Sequence, residues 1–311
     1  MNSYDSTLAP PAFGLNNTGA ICYLNSFLQM MVGCTSLSRA ILDNPDYMQK
    51  TKTGAAMLEY FQAATAPSPA RIALLSSKVL VALRADLATR RPKVKFGSGQ
   101  ESASEALILI LDMMEPPKSG QLTRVSHDSP TTSLFINRVR CALQCRECKS
   151  VTSKTEDYSV MMNLFHIDHL KTKVTTPKEF SDAIRTQISE TNDFTCSKCR
   201  KKTNALRTYN LTMIPEIIVC SFNIYARNGV ARTPRYFPLT LEFPATAGGT
   251  MLYKLVGQIE HSGSLAGGHY WARGLRKNGV FRLNDTSAAP STFEPTRGTY
   301  IVAYHYDRNV E

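Results

Sequence analysis

The sequence predicts an α+β fold, one unit carrying a metal-bearing insertion. Three observations point there. Residues up to about 115 read mainly as helices, the remainder reads mainly as strands, and two Cys-x-x-Cys pairs fall within the strand-rich part. With 311 residues, the chain is long enough for one large core or for a core with an inserted subdomain. At 43% hydrophobic and 20% charged, it has the balance of a folded protein rather than a disordered one.

Residues 1–11 read as a flexible lead-in. Leu24, Phe27, Leu28, Met31 and Leu37 recur near helical spacing and predict a helix over 22–42, closed by Asn44-Pro45. Further helices are predicted over about 54–64, 70–89 and 102–114, the last stopped by Pro116-Pro117. Residues 133–141 and 158–165 are rich in apolar and β-branched side chains and read as strands, and 180–189 as a short helix. From Thr203 onward strand-like runs dominate, at 208–211, 216–223, 252–260, 270–274, 280–283 and 299–306.

The net charge of +11 is spread along the chain, with short runs only at Arg90-Arg91-Pro92-Lys93 and Cys199-Arg200-Lys201-Lys202. These read as solvated faces, so nucleic acid is not an expected partner, although the charge would aid encounter with an acidic one. No stretch reaches the roughly 18 to 20 apolar residues of a membrane span. Met1 to Pro11 lacks a basic-then-apolar signal pattern, and Asp307 to Glu311 carries no lipidation cysteine. A membrane partner is therefore not expected. Eight cysteines in such a chain point to metal binding or catalysis rather than a disulfide framework, and hence to a reducing compartment, cytoplasmic or nuclear.

Cys22 stands where a Gly- and Asn-rich loop, Gly14 to Ile21, meets the first predicted helix. A helix N-terminus presents unpaired N–H groups and partial positive charge, which favour a thiolate. Asn17, five positions earlier, could aim an amide N–H at a developing oxyanion. A lone cysteine is ordinarily a small core hydrophobe, the reading given to Cys34 and Cys220. Cys22 differs because the sequence also supplies partners. A cysteine nucleophile needs a base, and the base needs a group that fixes its tautomer. Among six histidines, His269 follows Gly267-Gly268, suited to a channel that only a slim peptide could thread, and precedes Tyr270-Trp271. The strand end at Asn284-Asp285 could set Asn284 against its imidazole. His261 is the weaker candidate and is expected to line the cleft; His127, His166, His169 and His305 read as surface or packing residues.

Cys145-Arg-Glu-Cys148 and Cys196-Ser-Lys-Cys199 match a four-thiolate zinc site. They lie 48 positions apart, so the segment between must fold out and return. Four thiolates leave no coordination position open for water, which makes the expected Zn²⁺ structural. Cys141 is a spare thiol nearby.

Together these segments resemble the ubiquitin-specific protease family, from about Phe13 to Tyr306. Gly14 to Gln29 is similar to its cysteine box, Leu255 to Tyr270 to its histidine box, and Leu283-Asn284-Asp285 to the position of its third catalytic group. The resemblance implies a papain-like fold of fingers, palm and thumb over 12–307, with the thumb at about 12–125, zinc-binding fingers at about 133–225 and the palm at about 205–307. It implies a deubiquitinase that cleaves after the C-terminal Gly-Gly of ubiquitin. Cys22 would attack, His269 take its proton and Asn284 orient the imidazole. Asn17 and the Cys22 N–H would hold the oxyanion, supported by Asp285. Glu105, Gly267, Gly268, Tyr270 and His261 are the expected contacts to the ubiquitin tail, and the enzyme is expected to act as a monomer.

The resemblance has departures. The usual Asn-Thr before the nucleophile is Ala20-Ile21. In Gln100-Glu-Ser-Ala-Ser-Glu-Ala106 the family's Asp is Ser102, an aromatic or apolar position is Ala106, and Glu105 is kept. Losing that carboxylate removes a charge-assisted bond worth roughly 1.5 to 3 kcal/mol if well made. Ser102 with Glu105 three later equally fits a capping box. Asn223-Ile-Tyr-Ala-Arg-Asn228 replaces a usual Arg-Phe. The alternatives are the same chemistry on another ubiquitin-like modifier, and a binding module that has kept the fold. The second is disfavoured because Cys22, His269, Asn284 and Asn17 are all present. A zinc-ribbon nucleic-acid binder would leave both catalytic boxes unexplained.

Overall fold

A computed structural model describes residues 1–310 apart from 100, 118–127, 164–173, 223, 227–228, 231–235, 246–247 and 265–266. His127, His166, His169, the end of the strand predicted over 158–165, and Asn223, Arg227 and Asn228 lie outside the described residues.

Helix α1 (Cys22–Val32) is buried at every position, as suits a helix enclosed on all sides. The single helix predicted over 22–42 is two: Gly33 and the extended Cys34 (φ −87°, ψ 90°) separate α1 from α2 (Thr35–Leu42). The reason is exposure. α1 lies wholly in the core, whereas α2 keeps one wet side, from which Arg39 reaches Asp5 at 2.8 Å. Next come α3 (Pro45–Met48), α4 (Lys52–Thr65), α5 (Pro69–Ile72), α6 (Leu75–Arg90) and α7 (Ala103–Met114). Helix α7 starts where Ser102 accepts the Ser104 N–H at 3.2 Å. At the other end of α1 the buried Arg276 donates to the Gln29 carbonyl and side-chain oxygen, both at 2.7 Å, while Gln29 donates to the Phe13 carbonyl. Burial pulls the guanidinium down to about 10, and the end of a helix is where a cation is best placed.

A four-stranded antiparallel sheet follows. It contains β1 (Asn137–Cys145) and β2 (Val151–Ser159); after the short β3 (Met162–Asn163) and α8 (Pro177–Arg185) it adds β4 (Thr186–Thr195) and β5 (Lys202–Met213). The order is β2-β1-β5-β4. Two expectations shift here. Residues 132–135 form a 3₁₀ turn rather than the start of a strand, and the helix predicted over 180–189 ends at Arg185 and turns directly into β4. A Thr176–Glu179 capping box fixes the start of α8.

The larger sheet holds β6 (Ile217–Ser221), then, past the small β7 (Tyr225–Ala226) and β8 (Gly229–Val230) pair, β9 (Thr240–Pro244), β10 (Thr250–Ser264), β11 (Gly267–Arg276), β12 (Gly279–Asn284), β13 (Ser287–Pro290) and β14 (Thr299–Val310). Its order is β13-β12-β11-β10-β14-β6-β3, with β9 on the end of β10. One face packs on α1. Residues 1–11, expected as a flexible lead-in, are instead tied down. The Asn2 N–H donates to Glu216 and the Tyr4 N–H to the Tyr306 carbonyl, both at 2.9 Å, and the Lys254 ammonium sits 4.5 Å over the Tyr4 ring.

This core makes a pH prediction. His305 on β14 is fully buried; its Nε2 accepts the Ser36 N–H at 3.1 Å, and its Nδ1 donates to the Tyr306 carbonyl at 2.6 Å. That arrangement requires the neutral ring, and burial lowers its pKa below the ordinary 6.5. The unfolded chain takes up the proton first, so the contribution is complete above the unfolded value and lost as pH falls towards the native one. His261 is lowered likewise, by burial and then by the charge of His269. Unfolding free energy should drop below pH 6.5 with a slope of up to ~1.4 kcal/mol per pH unit for each such histidine. Urea titrations across this range check it: His305→Gln should be less stable at neutral pH and show a shallower acid slope, and an unchanged slope contradicts the assignment.

Candidate active site and metal centre

The loop before Cys22 is held from two sides. The Leu15 N–H donates to the Asp285 carbonyl at 2.7 Å, and the Asn16 N–H to the Ala73 carbonyl at 2.9 Å. At Gly14 a Cβ would fall 2.2 Å from the Thr286 carbonyl, so only glycine lets the loop lie on this turn. The Asn17 side-chain oxygen then accepts the Gly19 and Ile21 N–H groups, each at 3.2 Å. Ala20 is left-handed, at φ 50°. Asparagine tolerates that region better than alanine does, so the departure at this position costs roughly 1 kcal/mol.

Cys22 opens α1 and is 2% exposed. Burial pushes its thiol up; the N–H groups of Tyr270, Tyr23 and Cys22 itself pull the other way, and the Asp285 charge adds to the rise. Desolvation thus outweighs the donors and opposes the thiolate that a helix N-terminus favours. The Tyr270 N–H bonding the Cys22 sulfur also brings the start of β11, one residue on from His269, to the nucleophile.

His269 Nε2 meets Asn284 Oδ1 at 2.6 Å across β11 and β12. A carbonyl oxygen only accepts, so Nε2 carries the proton and Nδ1 keeps its lone pair. Asp285, left-handed at φ 47°, sends its two carboxylate oxygens to Asn17 Nδ2 at 3.1 Å and Asn25 Nδ2 at 2.7 Å. An amide nitrogen has two protons, which leaves Asn17 one to offer. Asn25 is a partner that the sequence reading missed. Its place one turn after Cys22, as a polar residue in an apolar helix, was the available signal.

The other predicted residues divide. Gly268 has an internal reason to be glycine: a Cβ would fall 2.2 Å from His261 Nε2. His261 is 3% exposed, buried against the Tyr270 ring at 4.4 Å between centres. Tyr270 in turn packs on Tyr300. Ser102 does cap α7, and its hydroxyl and that of Ser104 both bond the Tyr300 hydroxyl, at 2.8 and 2.7 Å. Glu105 is raised above the ordinary carboxylate value by burial and then by Glu101, which therefore supplies negative charge one residue from the substituted position.

Each Cys-x-x-Cys is the turn of a hairpin, Cys145 and Cys148 between β1 and β2, Cys196 and Cys199 between β4 and β5. β1 pairs β5, bringing the two turns together. Lys149 and Arg200, each just after a second cysteine, are left-handed at φ 60° and 58°. The four sulfurs lie within 4.8 Å of one another; Cys145–Cys199 is 3.8 Å and Cys148–Cys196 is 3.7 Å. Tetrahedral Zn–S bonds of about 2.3 Å would set sulfurs about 3.8 Å apart. The cluster is thus positioned to bind a metal and fits zinc.

The model of the ubiquitin carboxyl-terminal hydrolase family matches residues 13–304. The chain belongs to that family. Family relatives include ubiquitin carboxyl-terminal hydrolase 36 of Drosophila pseudoobscura pseudoobscura, 21% identical over 94% of this chain and 29% of its own length. Ubiquitin carboxyl-terminal hydrolase 17-like protein C of Mus musculus is 25% identical over 94% of this chain and 54% of its own length. The chain thus spans about half or less of these relatives. Among solved structures, a yeast SAGA DUBm superposes with a TM-score of 0.74 at 15% identity, covering 100% of this chain and 72% of that one. A SAGA DUB module bound to ubiquitin aldehyde gives 0.72 at 15% identity, covering 98% and 72%. The fold is that of the deubiquitinase members of the family.

Proposed function

We propose that the protein is a cysteine-type deubiquitinase, hydrolysing the bond after the C-terminal Gly-Gly of ubiquitin. The observation that carries this reading is the His269–Asn284 bond beside a cysteine at a helix start. In this reading His269 Nδ1 takes the Cys22 proton as the sulfur attacks the carbonyl carbon, because the resting thiol does not ionise readily. The Cys22 N–H and the second amide proton of Asn17 receive the oxyanion. His269 then returns the proton to the leaving amine, and water repeats the sequence on the thioester. A structural Zn²⁺ on Cys145, Cys148, Cys196 and Cys199 would pin the two hairpins together and take no part in the chemistry. The burial of His261 and Tyr270 favours the half-exposed Gly267 and Gly268 and the Glu101–Glu105 pair as contacts to a basic tail.

Electrophilic probes built on the C-termini of ubiquitin and of ubiquitin-like modifiers test this. Ubiquitin should form an adduct that disappears in Cys22→Ala. An adduct only with another modifier would keep the chemistry and change the substrate. No adduct with any probe from folded protein would remove the enzymatic reading.

A further inference from the structure

We propose that Trp271, held by Arg282, is a positioning residue for His269: the indole covers the imidazole and keeps water from the His269–Asn284 hydrogen bond. His269 and Trp271 are two apart on β11 and so share a face. Their rings lie offset and nearly parallel, at 27° with centres 6.1 Å apart. The Arg282 guanidinium lies 5.4 Å over the same indole. The register of β11 on β12 pairs Ala272 with Leu283 and Arg273 with Arg282, so the next rung sets Trp271 opposite Asn284. The indole therefore neighbours both partners of the bond. On its other flank, β10 places Glu260 opposite Trp271. Glu260 is fully buried and paired with Arg273 at 2.7 Å, giving the indole a rigid wall.

The physical need is clear from the bond itself. A neutral imidazole–amide hydrogen bond is worth little where water competes for both partners, and its full value appears only when water is kept away. Asn284 and His269 are both partly exposed, so neither shields the bond by its own burial. Arg282 is exposed, and its stacking holds the indole without a covering layer of protein. His261 on β10 is a titratable neighbour close enough for its charge to interact with the imidazole.

This inference rests on the proposed function for its kinetic part only. The first measurement, on the resting protein, is hydrogen exchange of the His269 Nε2–H, read by NMR with ¹⁵N-labelled imidazoles. Trp271→Ala should speed exchange by roughly tenfold or more, Arg282→Ala by less, and Trp271→Phe should stay near wild type. The second is turnover of a ubiquitin C-terminal fluorogenic substrate. There Trp271→Ala should lose roughly 10- to 100-fold in kcat with KM nearly unchanged, and Trp271→Phe should recover most of it. Exchange that stays at the wild-type rate in Trp271→Ala, or in Arg282→Ala should the first variant not fold, overturns the proposal; so does a loss confined to KM. Wild-type protein that shows the exchange pattern yet turns over no ubiquitin substrate would sink the proposed function and leave this assignment standing.

Discussion

His269→Ala is expected to be as damaging as Cys22→Ala, each lowering kcat by roughly 10⁴-fold or more, with the double variant no worse than either. The two act as one unit: a buried thiol that does not ionise readily is inert unless a base takes its proton. The burial that raises the Cys22 thiol above its ordinary value of 9.0 adds a pH signature. Without His269, residual activity depends on the thiolate fraction, which grows about tenfold per pH unit below the thiol's pKa. The His269→Ala rate should therefore climb steadily through the alkaline range, where the wild type is already level. Asn284→Ala should be intermediate, because the base remains and only its tautomer and orientation are lost. Steady-state kinetics from pH 6 to 10 with melting curves as controls decide it. Additive losses in the double variant, or a flat profile for His269→Ala, would contradict the base assignment.

Removing the metal is the second large effect. Structural zinc sites contribute on the order of 10–16 kcal/mol of binding free energy, much of which is folding free energy. Here that energy would be local. The four cysteines close the ends of β1–β2 and β4–β5, far in topology from β10–β12 and α1. Cys196→Ser, or treatment with a strong chelator, should lower bound zinc from one ion per chain to near none. Amide exchange should accelerate in 137–159 and 186–213 while α1 and β10–β12 keep their protection. Turnover should suffer in KM more than in kcat, since the His269–Asn284 bond does not touch this sheet. Metal analysis, exchange mass spectrometry and kinetics on one preparation read all three. A metal-free protein with unchanged exchange in both hairpins would show the cluster to be four ordinary thiols.

Much of this was legible in the chain because the signals are local. Strand-like runs located β10, β11, β12 and β14. The two cysteine pairs announced a tetrahedral cluster, and Gly-Gly-His-Tyr and Leu-Asn-Asp marked the ends of the strands that meet at His269. Short or edge strands were not legible: β13 (Ser287–Pro290) is exposed throughout, so no buried face imposes a pattern on it. The break at Gly33–Cys34 was missed because α1 and α2 are both apolar enough to read as one helix, and only the core decides which is enclosed.

By itself the sequence marked the candidates that the proposed chemistry requires, a nucleophile, a base, an orienting amide and four cysteines that can hold a metal, each in a loop or strand setting suited to its task. Tertiary structure alone decided their state. It buried Cys22 and so raised its thiol, packed His261 so close to Gly268 that no side chain fits there, and recruited Asn25 to grip Asp285. It also fastened the first eleven residues to β14 and α2. These outcomes depend on desolvation and on partners hundreds of residues apart, and neither is written in any local stretch of the chain.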